Sequence, residues 1–143
     1  MIGKVCVDSN VLIYTKDLRN PVKSKRCEMW LNHLQSLGIM VLSPQAINEL
    51  FSTLLRLKVP LPIAIKMAQN YLKFVTHPID QAVVRRALYI FERYKTSRWD
   101  ALMMSWAAQA GCSFMLSEDN QSAPVIEGVS IVSPFAFEPS DLS

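Results

Sequence analysis

Two short runs, Lys4-Val5-Cys6-Val7 and Cys112-Ser113-Phe114-Met115-Leu116, are apolar with little interruption, and they constrain the fold more than any other part of the chain. A strand with one wet face alternates apolar and polar residues, whereas a strand apolar at consecutive positions has both faces covered. Between these runs the apolar residues recur at helical spacing. Strands that alternate with helices in this way form a parallel sheet with helices packed on both of its faces, so the expectation is an α/β domain. At 143 residues, 50% of them hydrophobic, residues 1–143 are expected to form one domain around one core.

The elements can be placed one by one. A strand over 4–7 ends at Asp8, where the turn-prone Asp8-Ser9-Asn10 begins. Met29, Trp30, Leu31, Leu34 and Leu37 put a helix over 23–37, stopped by Gly38, and a short strand follows over 39–42. Ser43 before Pro44 is a capping side chain followed by proline at the first helical position, and Ala46, Ile47, Leu50, Phe51, Leu54 and Leu55 form the stripe of that helix. Pro60 and Pro62 bracket a break, after which helices are expected over 63–74 and 79–95, with a short strand over 75–77 between them. Ser97 caps a helix that runs to Gly111 and is apolar nearly all round, hence buried. Strands over 112–116 and 129–132 complete the set. The three tryptophans, Trp30, Trp99 and Trp106, have helical, apolar neighbours and read as core.

Composition removes several function classes. Cys6, Cys27 and Cys112 form no C-x-x-C pair and leave an odd one over, which argues against a disulfide framework or a zinc knuckle and suits a reducing cytoplasm. His33 and His77 are the only imidazoles, so a metal here would be held by oxygen, which favours magnesium or manganese over zinc. No opening stretch combines a charged start, an apolar middle and a small-residue cleavage site, no apolar span of about 18 residues is free of breaks, and neither a phosphate-binding glycine loop nor a nucleophile elbow occurs. Of the fifteen Lys and Arg, fourteen fall between Lys16 and Arg98. A phosphate-bearing partner and an ordinary solvated surface both fit that charge distribution.

The acids carry more information. Asp8, Glu49, Asp100 and the pair Glu118-Asp119 each stand at the edge of an apolar run. Taken singly, each has a structural explanation: Asp8 as a helix cap, Glu49 as an acid near a helix start, Asp100 in a capping box with Ser97, and Glu118 and Asp119 as solvated turn acids. Taken together they point elsewhere, because ligands of an open parallel sheet bind at the carboxyl ends of its strands, where the strand order reverses. Asp8 and Asp119 would face each other there. Two carboxylates ~4 Å apart repel by about 4 kcal/mol at an effective dielectric near 20. A divalent cation with oxygen ligands removes that conflict, polarises a phosphate oxygen and lowers the pKa of a bound water.

At this point the residues resemble a known family. Val7-Asp8-Ser9-Asn10-Val11-Leu12-Ile13, Gln45-Ala46-Ile47-Asn48-Glu49-Leu50, Ser97-Arg98-Trp99-Asp100-Ala101-Leu102-Met103 and Phe114-Met115-Leu116-Ser117-Glu118-Asp119 are similar to the four acidic motifs of PIN-domain ribonucleases, in the same order. The likeness is strongest to the VapC-type toxins of bacterial toxin–antitoxin pairs. It implies a three-layer α/β/α sandwich with a short, mainly parallel sheet, and an endoribonuclease dependent on Mg2+ or Mn2+. It also implies in-line attack of water on an RNA phosphodiester, a cognate antitoxin and a homodimer. Carried onto this chain, Asp8, Glu49, Asp100 and Asp119 form the acidic quartet and hold the metal. Asn10 orients Asp8, Ser117 supports the pocket, and Glu118 is the alternative to Asp119 as the fourth acid. Met29, Trp30 or Leu34, if exposed, would form a dimer or antitoxin groove. Where many relatives carry an apolar residue and a glycine after the last acid, this chain has Asn120-Gln121-Ser122-Ala123-Pro124.

Three other readings remain open on sequence: an RNA-processing nuclease without a toxin role, a non-catalytic module whose acidic pocket holds a partner's arginine, and a phosphoacceptor domain. The last wants a lysine beside the pocket, and no lysine follows Lys95.

Overall fold

A computed structural model of the chain describes residues 3–118 and 124–142. Its centre is a five-stranded sheet of β1 (Lys4–Val7), β2 (Met40–Val41), β3 (Cys112–Leu116), β4 (Val125–Ile126) and β5 (Val129–Val132), in the order β2-β1-β3-β5-β4. β1 pairs in parallel with β2 and β3, β3 pairs in parallel with β5, and only β4 runs antiparallel, against β5. The chain moves outward from β1 on one side to β2 and on the other to β3, so the order reverses between β1 and β3. The register there, Val7 opposite Leu116, brings the two strand ends level.

Among the described residues six α-helices cover the sheet: α1 (Ser9–Tyr14), α2 (Pro21–Ser36), α3 (Pro44–Arg56), α4 (Leu61–Asn70), α5 (Gln81–Tyr94) and α6 (Arg98–Gln109). The pleat sends alternate strand residues to opposite faces. Val5, Val7, Leu116 and Val132 join Leu12, Trp30, Leu34, Leu50 and Leu54 on one face, while Cys6, Met115 and Ile131 join Val83, Ile90, Met104 and Trp106 on the other. This is the expected three-layer α/β/α sandwich with a mainly parallel sheet. The cysteines are free and buried, and burial pushes the Cys27 and Cys112 thiols up to about 12, which marks them as core rather than nucleophiles. Among the described residues no helix is long and apolar enough to cross a membrane.

Caps set most helix starts. Asn20 accepts from the Lys23 N–H with Pro21 behind it, Ser43 accepts from the Ala46 N–H, Asp80 accepts from the Val83 N–H, and Ser97 accepts from the Asp100 N–H. α4 begins at Leu61 with Pro62 in its first turn, so Pro62 opens the helix instead of breaking the chain, and the helix yields to a 3-10 turn over Leu72–Phe74. The strand expected over 75–77 reduces to one bridge between Val75 and Leu42, because Pro78 has no N–H to donate and restricts His77 before it. β4 arises from a tight hairpin at Glu127-Gly128, both at positive φ (52° and 80°); glutamate at such a position gives no sequence signal.

Trp30 and Trp106 lie in the core as expected, and the expectation for Trp99 is corrected. Trp30 and Leu34 are fully buried against the sheet, with Trp30 Nε1–H donating to Pro134 O at 3.0 Å, so neither forms an open groove, and Met29 is only partly buried. Trp99, expected in the core beside Trp30 and Trp106, is 62% exposed. It occupies the first turn of α6 beside Leu88 and Phe91 of α5, whereas Trp106, two turns on and on nearly the same side of the helix, is fully buried.

Candidate active site

The site lies where β1 and β3 end side by side. The Asp8 N–H still donates to Leu116 O at 2.9 Å, which holds Asp8 in line with the last residue of β3. The chain then turns into α1, and the Asp8 carboxylate caps it, with Oδ1 accepting from the Ser9 N–H at 2.7 Å. From β3, the Ser117 hydroxyl donates to Asp8 Oδ2 at 2.9 Å. Both oxygens of one carboxylate are thus fixed by the two adjacent strand ends.

Glu49 arrives from the second turn of α3. Its Oε2 accepts from the Ser9 hydroxyl at 2.5 Å, and the same hydroxyl oxygen lies 3.5 Å from Asp8 Oδ1. Ser9 is therefore the hinge between two acids forty-one positions apart. Gln45, one turn before Glu49, donates from Nε2 to Glu49 Oε1 at 2.6 Å. Asn10 contributes less than expected: its Nδ2 is 3.4 Å from both Asp8 Oδ2 and Ser117 Oγ, at the long end of hydrogen-bonding distance. Asp100 sits in the first turn of α6 and lines, with Ser117 and Met104, a cavity of about 170 Å³.

Electrostatics tie these acids together. The Asp8 carboxyl is pushed up from 3.8 to about 6, first by burial and further by Glu49 and Asp100, against the hydrogen bonds from Ser117 and the Ser9 backbone. Desolvation and like charge outweigh two good hydrogen bonds, as they do in a carboxylate cluster with no cation beside it among the described residues. The hydrogen-bond inventory agrees. Among the described residues no donor reaches the buried Asn10 Oδ1 and Gln45 Oε1, beside two carboxylates whose donors are already committed. Turning the Gln45 amide over would only set its oxygen against Glu49. A pocket with more buried acceptors than donors fits a cation or the water shell of one.

Glu118 turns away from this group and accepts from the Tyr14 hydroxyl at 2.6 Å. Asp119, the fourth acid expected from the motif, lies outside the described residues, as do Asn120 to Ala123. Among the described residues no three His, Cys, Asp or Glu side chains stand close enough to form a metal cage on their own. Asp8, Glu49, Asn10 and Ser117 are brought into direct contact or one bridge apart, and Asp100 faces them across the cavity rim. Ser9, Gln45 and Tyr14 were not singled out from sequence. The Gln45-to-Glu49 spacing of four, which places both on one helix face, was the readable signal for one of them.

Sheet order defines an open α/β domain, and the acid pocket stands at the reversal point, where sheets of this class bind ligands. The PIN-domain family model matches residues 5–125, and the chain belongs to the PIN-domain family. Solved structures that share this fold include a toxin–antitoxin complex from Klebsiella pneumoniae (18% identity, TM-score 0.64, covering 94% of this chain and 100% of that one). Two others are VapBC2 from Rickettsia felis bound to a DNA fragment from its promoter (13%, 0.67, 93% and 98%) and DNA-bound VapBC from Salmonella typhimurium (16%, 0.66, 94% and 99%). At these identities the likeness concerns the fold. No curated protein sequence is similar enough to count as a relative.

Proposed function

We propose that this chain is an endoribonuclease dependent on Mg2+ or Mn2+ and the VapC-type toxin of a toxin–antitoxin pair, with a cognate antitoxin and a second copy of itself as partners. The observation that carries the reading is the acceptor surplus: oxygens of half-buried Asp8, Glu49 and Asn10 and of buried Gln45 converge with too few donors among the described residues. Asp8, Glu49 and Asp100, with Asp119, are the residues proposed to hold the metal. A bound divalent cation supplies charge against a phosphate oxygen and acidifies a bound water.

The chain's own groups supply the rest. Ser117 and the Ser9 N–H fix the rotamer of Asp8, and Ser9 and Gln45 fix Glu49, so the carboxylates need little reorganisation to receive a ligand. Asp8, pushed up by its burial and by the neighbouring Glu49, has more to gain from a counter-charge than a solvated acid does. The membership in the PIN-domain family and the toxin–antitoxin neighbours in fold support the nuclease and toxin parts of the reading. The excess of Lys and Arg between Lys16 and Arg98 suits an RNA backbone. The same pocket also suits an arginine from an antitoxin, which would act there as an inhibitor.

The test is cleavage of single-stranded RNA by the purified chain with Mg2+, with Mn2+ and in EDTA, beside Asp8→Asn. Cleavage is expected only with metal and only for the wild type. Metal-dependent cleavage that persists in Asp8→Asn would overturn the site.

A further inference from the structure

α5 and α6 leave between them an open groove lined by Val84, Leu88, Phe91, Trp99 and Leu102, with Arg98 at its edge and a volume of about 350 Å³. Leu88 is 67% exposed, and Tyr89 and Phe91 are also exposed. Among the three tryptophans Trp99 alone is exposed, and it stands next to Asp100 on the first turn of α6. Successive helical residues diverge by roughly 100°, so one turn of helix presents Trp99 to the groove and Asp100 to the acid pocket. The groove therefore begins where the active site ends.

Charge selects what covers it. Residues 85–98 contain Arg85, Arg86, Arg93, Lys95 and Arg98 against one acid, Glu92. Arg86 is turned to Glu127 at 3.8 Å and Arg93, two turns on, lies on that same side over the Tyr94 ring, which leaves Arg98 lining the groove and exposed Arg85 beside Val84 and Leu88. A two-fold contact of this face with a second copy would set those cations against themselves. Aromatic rings interleaved with cations are instead the pattern of a surface that stacks unpaired bases and follows a phosphate backbone.

We propose that the α5–α6 groove is a single-stranded RNA platform on which Trp99 stacks a base flanking the scissile phosphate while Arg98 meets the backbone. The proposal rests on the nuclease reading for its orientation toward Asp100, but binding on the groove can be measured without cleavage. A paired strand keeps its bases stacked inside and cannot use such a platform, so the substrate class is unpaired RNA.

The experiment titrates a ~10-nucleotide single-stranded RNA into the intact chain in EDTA and follows tryptophan fluorescence. Because Trp30 and Trp106 are buried, quenching by a stacked base reports Trp99. Wild type and Asp8→Asn are expected to show the quench. Trp99→Ala is expected to lose it and to bind roughly 5- to 150-fold more weakly by anisotropy, with Trp99→Phe recovering most of the affinity. Arg98→Gln is expected to lower the salt slope of binding by about 0.7. Undiminished affinity in Trp99→Ala would overturn the platform. So would a wild-type dimer that Trp99→Ala splits into monomers in sedimentation, since the face would then belong to a second copy. A wild type that binds through Trp99 yet never cleaves with metal would count against the nuclease reading alone.

Discussion

Asp8→Asn should make the metal-free protein more stable at neutral pH. In the folded chain Asp8 binds its proton up to about pH 6, against 3.8 when unperturbed, because burial dominates and Glu49 and Asp100 add to it. A folded pKa raised above the unfolded one means that the native state is favoured while the proton is on. That advantage is complete below about pH 4 and is lost as pH rises through 6. Above that range the ionised carboxylate costs the fold about two pKa units, or roughly 3 kcal/mol. Asparagine removes the charge but keeps the geometry, since its oxygen can still cap α1 and its amide can donate to Ser117, whose hydroxyl is free to rotate. Asn10 loses the acceptor for its long contact, worth about 1 kcal/mol at most, so the net gain is about 2 kcal/mol. At roughly 3 °C per kcal/mol for a chain of this size, Tm in EDTA should rise by about 6 °C at pH 7.5. The difference should close toward pH 4. Magnesium should raise the Tm of the wild type at pH 7.5 and leave that of Asp8→Asn unchanged. Equal Tm values at pH 7.5 in EDTA, or a gain of the same size at pH 4, would refute the claim that uncompensated charge at Asp8 strains this fold.

Two further outcomes follow from the same contacts. Ser9→Ala removes the hydroxyl that Glu49 shares with Asp8, and calorimetric titration with Mn2+ should show affinity reduced about 10- to 100-fold; unchanged affinity would mean that Glu49 lies outside the metal site. Since Tyr14 engages Glu118, Glu118→Gln should keep cleavage within about tenfold of wild type while Asp119→Asn abolishes it, with the reverse pattern assigning the fourth acid to Glu118.

How far the chain could be read in advance depended on whether a feature was local. Continuous apolar runs in β1 and β3 and caps at Ser43 and Ser97 are determined within a few residues, and the elements they announce are present. Pairing the ends of β1 and β3 required topology, but the reversal rule for parallel sheets was enough to bring those two ends side by side; Ser117 is the residue seen to meet Asp8 there, and Asp119 lies outside the described residues. What escaped was decided at longer range or by a local exception. The exposure of Trp99 depends on where α5 lies against α6, which no periodicity within α6 reveals, and the hairpin at Glu127-Gly128 uses a residue that rarely adopts positive φ. The bridging role of Ser9 required knowing that the second turn of α3 approaches the first turn of α1.

The structural and chemical explanations of the acids turn out to be the same explanation at two scales. Asp8 is the cap of α1, and Asp100 lies in the first turn of α6 behind the Ser97 cap. Those local roles bring carboxylates to helix beginnings, where unpaired N–H groups and the helix dipole favour negative charge by roughly 0.3–1 kcal/mol each. Parallel topology then directs the helices that follow β1 and precede β3 so that their acids share one edge of the sheet with Glu49 from α3. The local preference is too small to offset mutual repulsion and burial, and the raised pKa of Asp8 shows which effect wins. Caps alone would have been served by serine or asparagine, as Ser43, Ser97 and Asn20 serve α3, α6 and α2. An aspartate at position 8, held at a cost that asparagine would avoid, is what the proposed metal site requires.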